Sequence, residues 1–146
     1  MINISDDIKN FVNSQKLGYV ATVSKDGTPN LSPKGTIIVM DESTLVFADI
    51  RSPKTMENLR ENTSVEINVI DPFKRLGYRF KGDGKIVNEG IEFDKILEYY
   101  KDVGVKSKIN SVVVIDVKTM SKVTSPSYDL GATEDELSSK WKKYYS

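Results

Sequence analysis

The sequence predicts a mainly β fold, a small and mostly antiparallel barrel with a few helices packed outside it. Three observations point there. About six segments of strand character follow one another with turn signals between them, as hairpin connections require. The helical patterns are few and short. The 146 residues carry no internal repeat, low-complexity tract or long linker, so they read as one domain with its own core.

In chain order, Ser5 is placed to cap a first helix, with Asp6 and Asp7 in its first turn. Ile8, Phe11 and Val12 form its apolar stripe, and Gly18 is expected to stop it. Gly18-Tyr19-Val20-Ala21-Thr22-Val23 then reads as a strand, and Asp26-Gly27 is a strong hairpin signal. Residues 28–40 supply one long returning strand, interrupted at Ser32-Pro33-Lys34-Gly35. Proline lacks a ladder donor and glycine exposes backbone, so the interruption marks an edge, a bulge or a close approach by another group. Asp41-Glu42-Ser43 is the next turn, and residues 44–49 are the third strand.

That strand leads into Asp49-Ile50-Arg51-Ser52-Pro53-Lys54-Thr55-Met56-Glu57-Asn58-Leu59-Arg60, the most informative stretch of the chain. Ser52 suits the N-cap and Pro53 the first helical position, and Met56 and Leu59 give a helical apolar stripe. The first turn of such a helix offers unpaired N–H groups at the positive end of its dipole. With Arg51, Lys54 and the hydroxyls of Ser52 and Thr55 around it, that end can hold a phosphate. An ordinary capped helix with solvated basic residues has the same sequence, and this window alone does not separate the two.

Residues 65–70 alternate as a half-buried strand, which Asp71-Pro72 breaks. Residues 76–87 resume strand character, with glycines suited to a bent barrel strand. Phe93, Ile96, Leu97 and Tyr100 mark a third helix ending near Gly104. The run Ser111-Val112-Val113-Val114-Ile115-Asp116-Val117 is the clearest strand, apolar enough for burial on both faces. Residues 1–124 are thus the barrel. Residues 125–146 add a loop and a short helix, with Thr133 and Glu136 as a capping box and Trp141, Tyr144 and Tyr145 near its end. This segment packs on its own barrel, on a partner subunit or on a ligand edge.

Composition removes several classes of function. Lys+Arg and Asp+Glu balance at 21 each, which gives no electrostatic case for nucleic acid or an anionic membrane. Without cysteine or histidine, thiolate catalysis, imidazole-dependent triads and Cys/His metal sites are excluded, and no metal is expected. No basic segment followed by an apolar run opens the chain, and no apolar run approaches a bilayer span, so a cytoplasmic protein is expected.

The order of these motifs is similar to that of a known family. Tyr19-Val20-Ala21-Thr22-Val23, Asp26-Gly27, Pro29, Ser32-Pro33-Lys34-Gly35, Leu45-Val46-Phe47-Ala48-Asp49, Lys54-Thr55 and Asn58-Leu59 resemble the pyridoxamine 5′-phosphate oxidase-like split β-barrels that bind FMN. The small single-domain flavoproteins of that group are the nearest in pattern. Tyr78-Arg79-Phe80-Lys81-Gly82 and the strand after the third helix continue the layout, so the resemblance covers roughly residues 5–120.

The resemblance implies an FMN phosphate at Arg51, Ser52, Lys54 and Thr55. The ring and ribityl chain would lie against Ser32, Pro33, Lys34, Gly35, Ala48 and Asp49. It also implies a homodimer with the flavin at the interface, where an aromatic such as Tyr78 or Trp141 of a second copy would cap the ring. A small-molecule or protein redox partner is implied without being identified. Catalysis would belong to the flavin, with Lys34 stabilising its reduced anion; a solvated edge lysine is the alternative for Lys34. The acidic residues 128–137 lack the basic C-terminal signature that true pyridoxamine phosphate oxidases use for their substrate phosphate, and haem-binding members are a poor guide for a chain without histidine. The expected function is an FMN-dependent oxidoreductase or electron-transfer protein. The alternatives are an F420-binding reductase, a non-enzymatic flavin-binding module, and a barrel that acts only by protein contact.

Overall fold

The structure, a computed structural model, describes residues 2–146; the first residue of the opening segment lies outside that range. Its elements are α1 (Asp6–Gln15), β1 (Gly18–Val23), β2 (Pro29–Lys34), β3 (Ile38–Asp41), β4 (Thr44–Asp49), α2 (Pro53–Glu61), β5 (Ser64–Asp71), β6 (Leu76–Val87), α3 (Ile91–Asp102), β7 (Ser111–Thr124) and α4 (Glu134–Tyr145). The strands make one seven-stranded sheet in the order β2-β1-β5-β6-β7-β4-β3, and every pairing is antiparallel.

The two edge strands are consecutive in the chain, which decides the architecture. Laid flat, the outer strands of such a sheet would stand about 29 Å apart at roughly 4.8 Å per strand. The chain from Lys34 to Ile38 spans at most about 14 Å. The sheet must therefore curl until its edges meet, joined by a chain crossing instead of a hydrogen-bonded ladder. This is the split barrel the sequence predicts.

The long strand expected over residues 28–40 is in fact two strands. Its first half pairs with β1 and its second with β4. The break falls at residues 35–37, overlapping the predicted interruption at Gly35 and running two residues past it. Pro29 and Pro33 suit the β2 edge, where no ladder donor is missed. The β3 edge is covered by α1, where Asn13 Oδ1 accepts from Val39 N–H at 2.8 Å.

Gly18 does not stop α1. Lys16 takes the left-handed C-cap conformation (φ 58°), and Gly18 opens β1 opposite Lys34. Ser5 caps as expected, its Oγ accepting from Ile8 N–H at 3.3 Å. β7 runs seven residues beyond the predicted end, because its second half pairs only with β6 and needs no apolar pattern.

The barrel interior is filled by Val20, Leu45, Phe47, Ile67, Val69, Phe80, Val113, Ile115 and Val117, with Met56 and Leu59 of α2 added. A second cluster joins Ile38, Val46, Ala48 and Val112 to Ile96 and Tyr100 of α3. The apolar run of β7 is thus buried on both faces, as its sequence predicts.

α2 is tied to β1 by a buried pair, Asn58 Nδ2 donating to Thr22 Oγ1 at 3.0 Å. Asn58→Ala should cost about 2 kcal/mol, since it leaves a buried hydroxyl without its partner. Thr22→Val/Asn58→Leu should recover most of that loss in urea unfolding. A double variant as unstable as the single one would mean that shape, not the hydrogen bond, sets the cost.

Candidate functional site

A groove of about 610 Å³ opens where the crossing between the sheet edges meets the head of α2. The end of β2 contributes Pro33 and Lys34, and the crossing contributes Gly35 and Thr36. The floor is Ala48 at the end of β4, followed by Ile50, Arg51 and Ser52. Ser107 and Lys108, from the connection between α3 and β7, form the remaining wall.

Lys34 is the centre of this arrangement. Only 9% of it is exposed, and its Nζ donates to Ser32 Oγ at 3.1 Å and to Ser52 Oγ. Burial pushes its ammonium pKa below the ordinary value, and the field of Asp49 partly opposes that shift. Asp49 is occupied elsewhere: its Oδ1 accepts from Ser52 N–H at 3.2 Å and its Oδ2 from Ser111 Oγ at 3.4 Å.

Ser52 stands at the N-cap of α2, but its side chain does not cap the helix; the hydroxyl accepts from Lys34 instead. The first intrahelical bond runs from Met56 N–H to Ser52 O at 3.1 Å. The N–H groups of Lys54 and Thr55 precede it, at the positive end of a nine-residue helix. A nearly buried ammonium, Arg51 and the Ser52 N-cap of α2 thus line one opening. The donor set suits a phosphate monoester.

Of the ten residues singled out in the sequence, Pro33, Lys34, Gly35, Ala48, Arg51 and Ser52 line the groove. Ser32 and Asp49 stand behind it, bonded to Lys34 and Ser52. Lys54 and Thr55 do not line it. Lys54 pairs with Glu57 at 3.6 Å, and Thr55 is buried with its Oγ1 accepting from Asn30 Nδ2 at 3.4 Å. Thr36, Ile50, Ser107 and Lys108 were missed. No periodicity marks the connection before β7, so only the fold could bring Ser107 and Lys108 here.

The two aromatics considered for capping a flavin are engaged within the chain. Tyr78 packs on Phe11 at 5.4 Å, and Trp141 lies over the Arg75 guanidinium at 3.7 Å. The turn of residues 71–75 lines a separate hollow with Leu17 and Tyr19.

The crossing is held from below by Tyr100, whose hydroxyl donates to Thr36 O at 2.6 Å; Thr36 Oγ1 in turn accepts from Ala48 N–H at 3.0 Å. Burial holds the Tyr100 phenol well above its ordinary pKa, so it is a donor throughout the physiological range. Tyr100→Phe should lower stability by about 1 kcal/mol in urea unfolding. An unchanged midpoint would show that the crossing needs no such tie.

A wholly antiparallel split barrel with an anion-suited groove at its crossing defines the structural class. The family model for pyridoxamine 5′-phosphate oxidase matches residues 4–123, and the chain belongs to that family. The uncharacterized protein MJ0282 of Methanocaldococcus jannaschii is 35% identical over 82 residues, 55% of this chain and 54% of that protein. The match therefore spans about half the length of that relative. HupZ of Group A Streptococcus is similar in structure, with a TM-score of 0.75 and 28% identity over 84% of this chain and 95% of that one. An FMN-binding protein of Syntrophomonas wolfei subsp. wolfei shares the fold, with a TM-score of 0.71 and 18% identity over 81% of this chain and 84% of that one. Among the described residues, no helix is long and apolar enough to cross a membrane.

Proposed function

We propose that this protein is an FMN-binding flavoprotein, an oxidoreductase or electron-transfer protein that holds the flavin phosphate at the head of α2. One observation carries the reading. Lys34 is a nearly buried cation that feels the field of Asp49, a carboxylate already engaged with Ser52 and Ser111. Burying an ammonium in such surroundings is costly unless an anion completes the site. A phosphate monoester does so, with Arg51 at the rim and the positive end of the α2 dipole beside Ser52.

When bound, the flavin supplies the electron-transfer chemistry. The chain's own part is binding and orientation. Lys34 and Ser52 fix the anionic end, Pro33 and Gly35 let a flat group approach the backbone closely, and Ala48 keeps the floor low. The cationic groove favours added negative charge on its ligand.

The groove is open on one side, and we assign that side to a second copy of the chain. Leu31 is 67% exposed and Tyr19 41% exposed; both stand on the β1–β2 ladder, where Tyr19 pairs with Pro33 of the groove. Leu31→Asp should weaken a dimer about tenfold or more in analytical ultracentrifugation. A wild-type monomer at every concentration would remove the dimer from the proposal.

The main test is purification without added cofactor, with the visible spectrum recorded and any released chromophore identified by mass. FMN should be present, or should bind on titration at least about 30-fold more tightly than riboflavin, which lacks the phosphate. Equal binding of the two would overturn the phosphate assignment. A colourless protein that takes up neither FMN nor F420 would overturn the flavin reading. Anaerobic reduction by NADH or NADPH then separates an enzyme reduced by pyridine nucleotides from a flavin-binding module.

A further inference from the structure

The apolar stripe of α4 outruns the barrel it packs on. Leu137, Trp141, Tyr144 and Tyr145 share one side of the helix at the spacing of successive turns. Leu137 is buried and Trp141 half-buried, but Tyr144 is 71% and Tyr145 61% exposed. The turn before β6 fixes the helix in place. Lys74 pairs with Glu134 at 3.5 Å, and Arg75, beneath Trp141, donates from Nη2 to the Tyr145 hydroxyl at 3.3 Å. The rings also pack on one another, Trp141 on Tyr144 at 5.4 Å and Tyr144 on Tyr145 at 5.1 Å. The exposed cluster thus has a defined shape, and it lies beyond residue 123, where the match to the family model ends.

Charge decides what fits there. Residues 137–146 carry Lys140, Lys142 and Lys143 and no carboxylate, in a chain that is neutral overall. All three lysines are exposed; Lys140 Nζ stands 5.0 Å from the Trp141 ring and Lys142 Nζ 5.8 Å from the Phe73 ring. The acidic residues of α4, Glu134, Asp135 and Glu136, are in its first turn, at the other end. Tryptophan, tyrosine and arginine ringed by cations have the composition of a protein interface that selects an acidic partner. A nucleic-acid strand suits the face less well. Rings at 76° and 85° to one another present edges and leave no open plane for a base to stack on. A lipid surface also suits it less, because Leu137, the one aliphatic side chain of α4, is already buried.

We infer that the overhanging end of α4 docks another protein through an acidic segment that carries a large apolar side chain. The apolar side chain covers Trp141, Tyr144 and Tyr145, completing the stripe that the barrel leaves open. The carboxylates meet Lys140, Lys142 and Lys143 around it. The surface stands apart from the groove at the head of α2 and does not depend on what the groove binds.

Trp141 is the one tryptophan of the chain, so its fluorescence reports on this face directly. The full chain, with and without FMN, is titrated with a short peptide of glutamates around a single phenylalanine. A peptide with glutamine in place of every glutamate is the comparison. The acidic peptide should shift the Trp141 emission saturably in both forms, and the glutamine peptide should bind at least about fivefold more weakly. Lys142→Ala/Lys143→Ala should weaken the acidic peptide about fivefold, and Tyr144→Ala about tenfold. Lys25→Ala, an exposed lysine in the β1–β2 turn, should change nothing. No saturable shift, equal binding of the two peptides, or an equal loss in Lys25→Ala would overturn the docking surface. Tighter binding of a thymidine oligonucleotide or of phosphatidylserine vesicles would give the face to another class of partner and overturn it too. So would an emission that changes with the concentration of the protein alone and ceases to do so in Tyr144→Ala, which would give the face to a second copy.

Discussion

Lys34→Met should make the ligand-free protein more stable and FMN binding much weaker. Both effects come from one buried ammonium. In the free protein the charge is 9% exposed, its neighbours are hydroxyls, and Asp49 offsets only part of the burial. Replacing it with an apolar chain of similar length removes that cost, and a gain of about 1 kcal/mol is expected. With FMN present, the same change removes a charge-assisted bond to phosphate worth about 2 kcal/mol, roughly a 30-fold loss of affinity. Thermal melts with and without FMN should therefore order the two proteins oppositely. A variant less stable in both states would mean that Lys34 is a structural lysine.

The pH dependence follows from the same group. Its pKa in the folded protein lies below the ordinary 10.5 of the unfolded chain. Below the folded value both states carry the proton, and the folded state bears the whole cost of burial. As pH rises from that value towards 10.5, the folded lysine loses its proton first. The free protein's stability from this group should rise across that interval, and the rise should be absent in Lys34→Met. FMN should weaken the effect, since a phosphate beside Lys34 favours its charged form.

How far the sequence could be read depended on whether a feature was local. The head of α2 was legible because Ser52, Pro53 and the Met56/Leu59 stripe are local signals, and the structure places the helix there. The role of the Ser52 hydroxyl was not legible. Its choice between the Thr55 region of its own helix and Lys34 depends on β2 ending beside α2, a tertiary fact. Likewise Lys54 and Arg51 look alike in the sequence, but the helix turns Lys54 towards Glu57 while Arg51 remains on the groove. The double life of residues 28–40 was hidden for another reason. Both halves have strand character, and only the curling of the sheet sends them to opposite edges. Gly18 was misjudged because glycine is the usual left-handed C-cap, whereas Lys16 adopts that conformation two residues earlier. The wall bearing Ser107 and Lys108 had no pattern to read, and Asn110, which fastens it, bonds to backbone some sixty positions earlier.

Gly82→Ala should be among the most destabilising single-methyl changes in the barrel, at about 3 kcal/mol. The ladder between β6 and β7 slips at this point: Lys81 stands opposite Thr119 and Gly82 opposite Val117, so Lys118 is an extra residue on β7. A bulge of this kind sharpens the local twist, which a sheet needs if its two edges are to meet. The slip also carries the Asp116 carbonyl across Gly82, where any Cβ would overlap it. Because the obstacle is backbone in a paired strand, no rotamer change relieves it. Gly84 gives the control. There a Cβ would meet the Val113 side chain at 3.0 Å, and a side chain can move, so Gly84→Ala should cost about 1 kcal/mol. Urea unfolding of the two variants distinguishes the cases. Equal costs would show that β7 can shift its register at Lys118 freely. The curvature that brings Lys34 to the head of α2 would then have to come from elsewhere in the sheet.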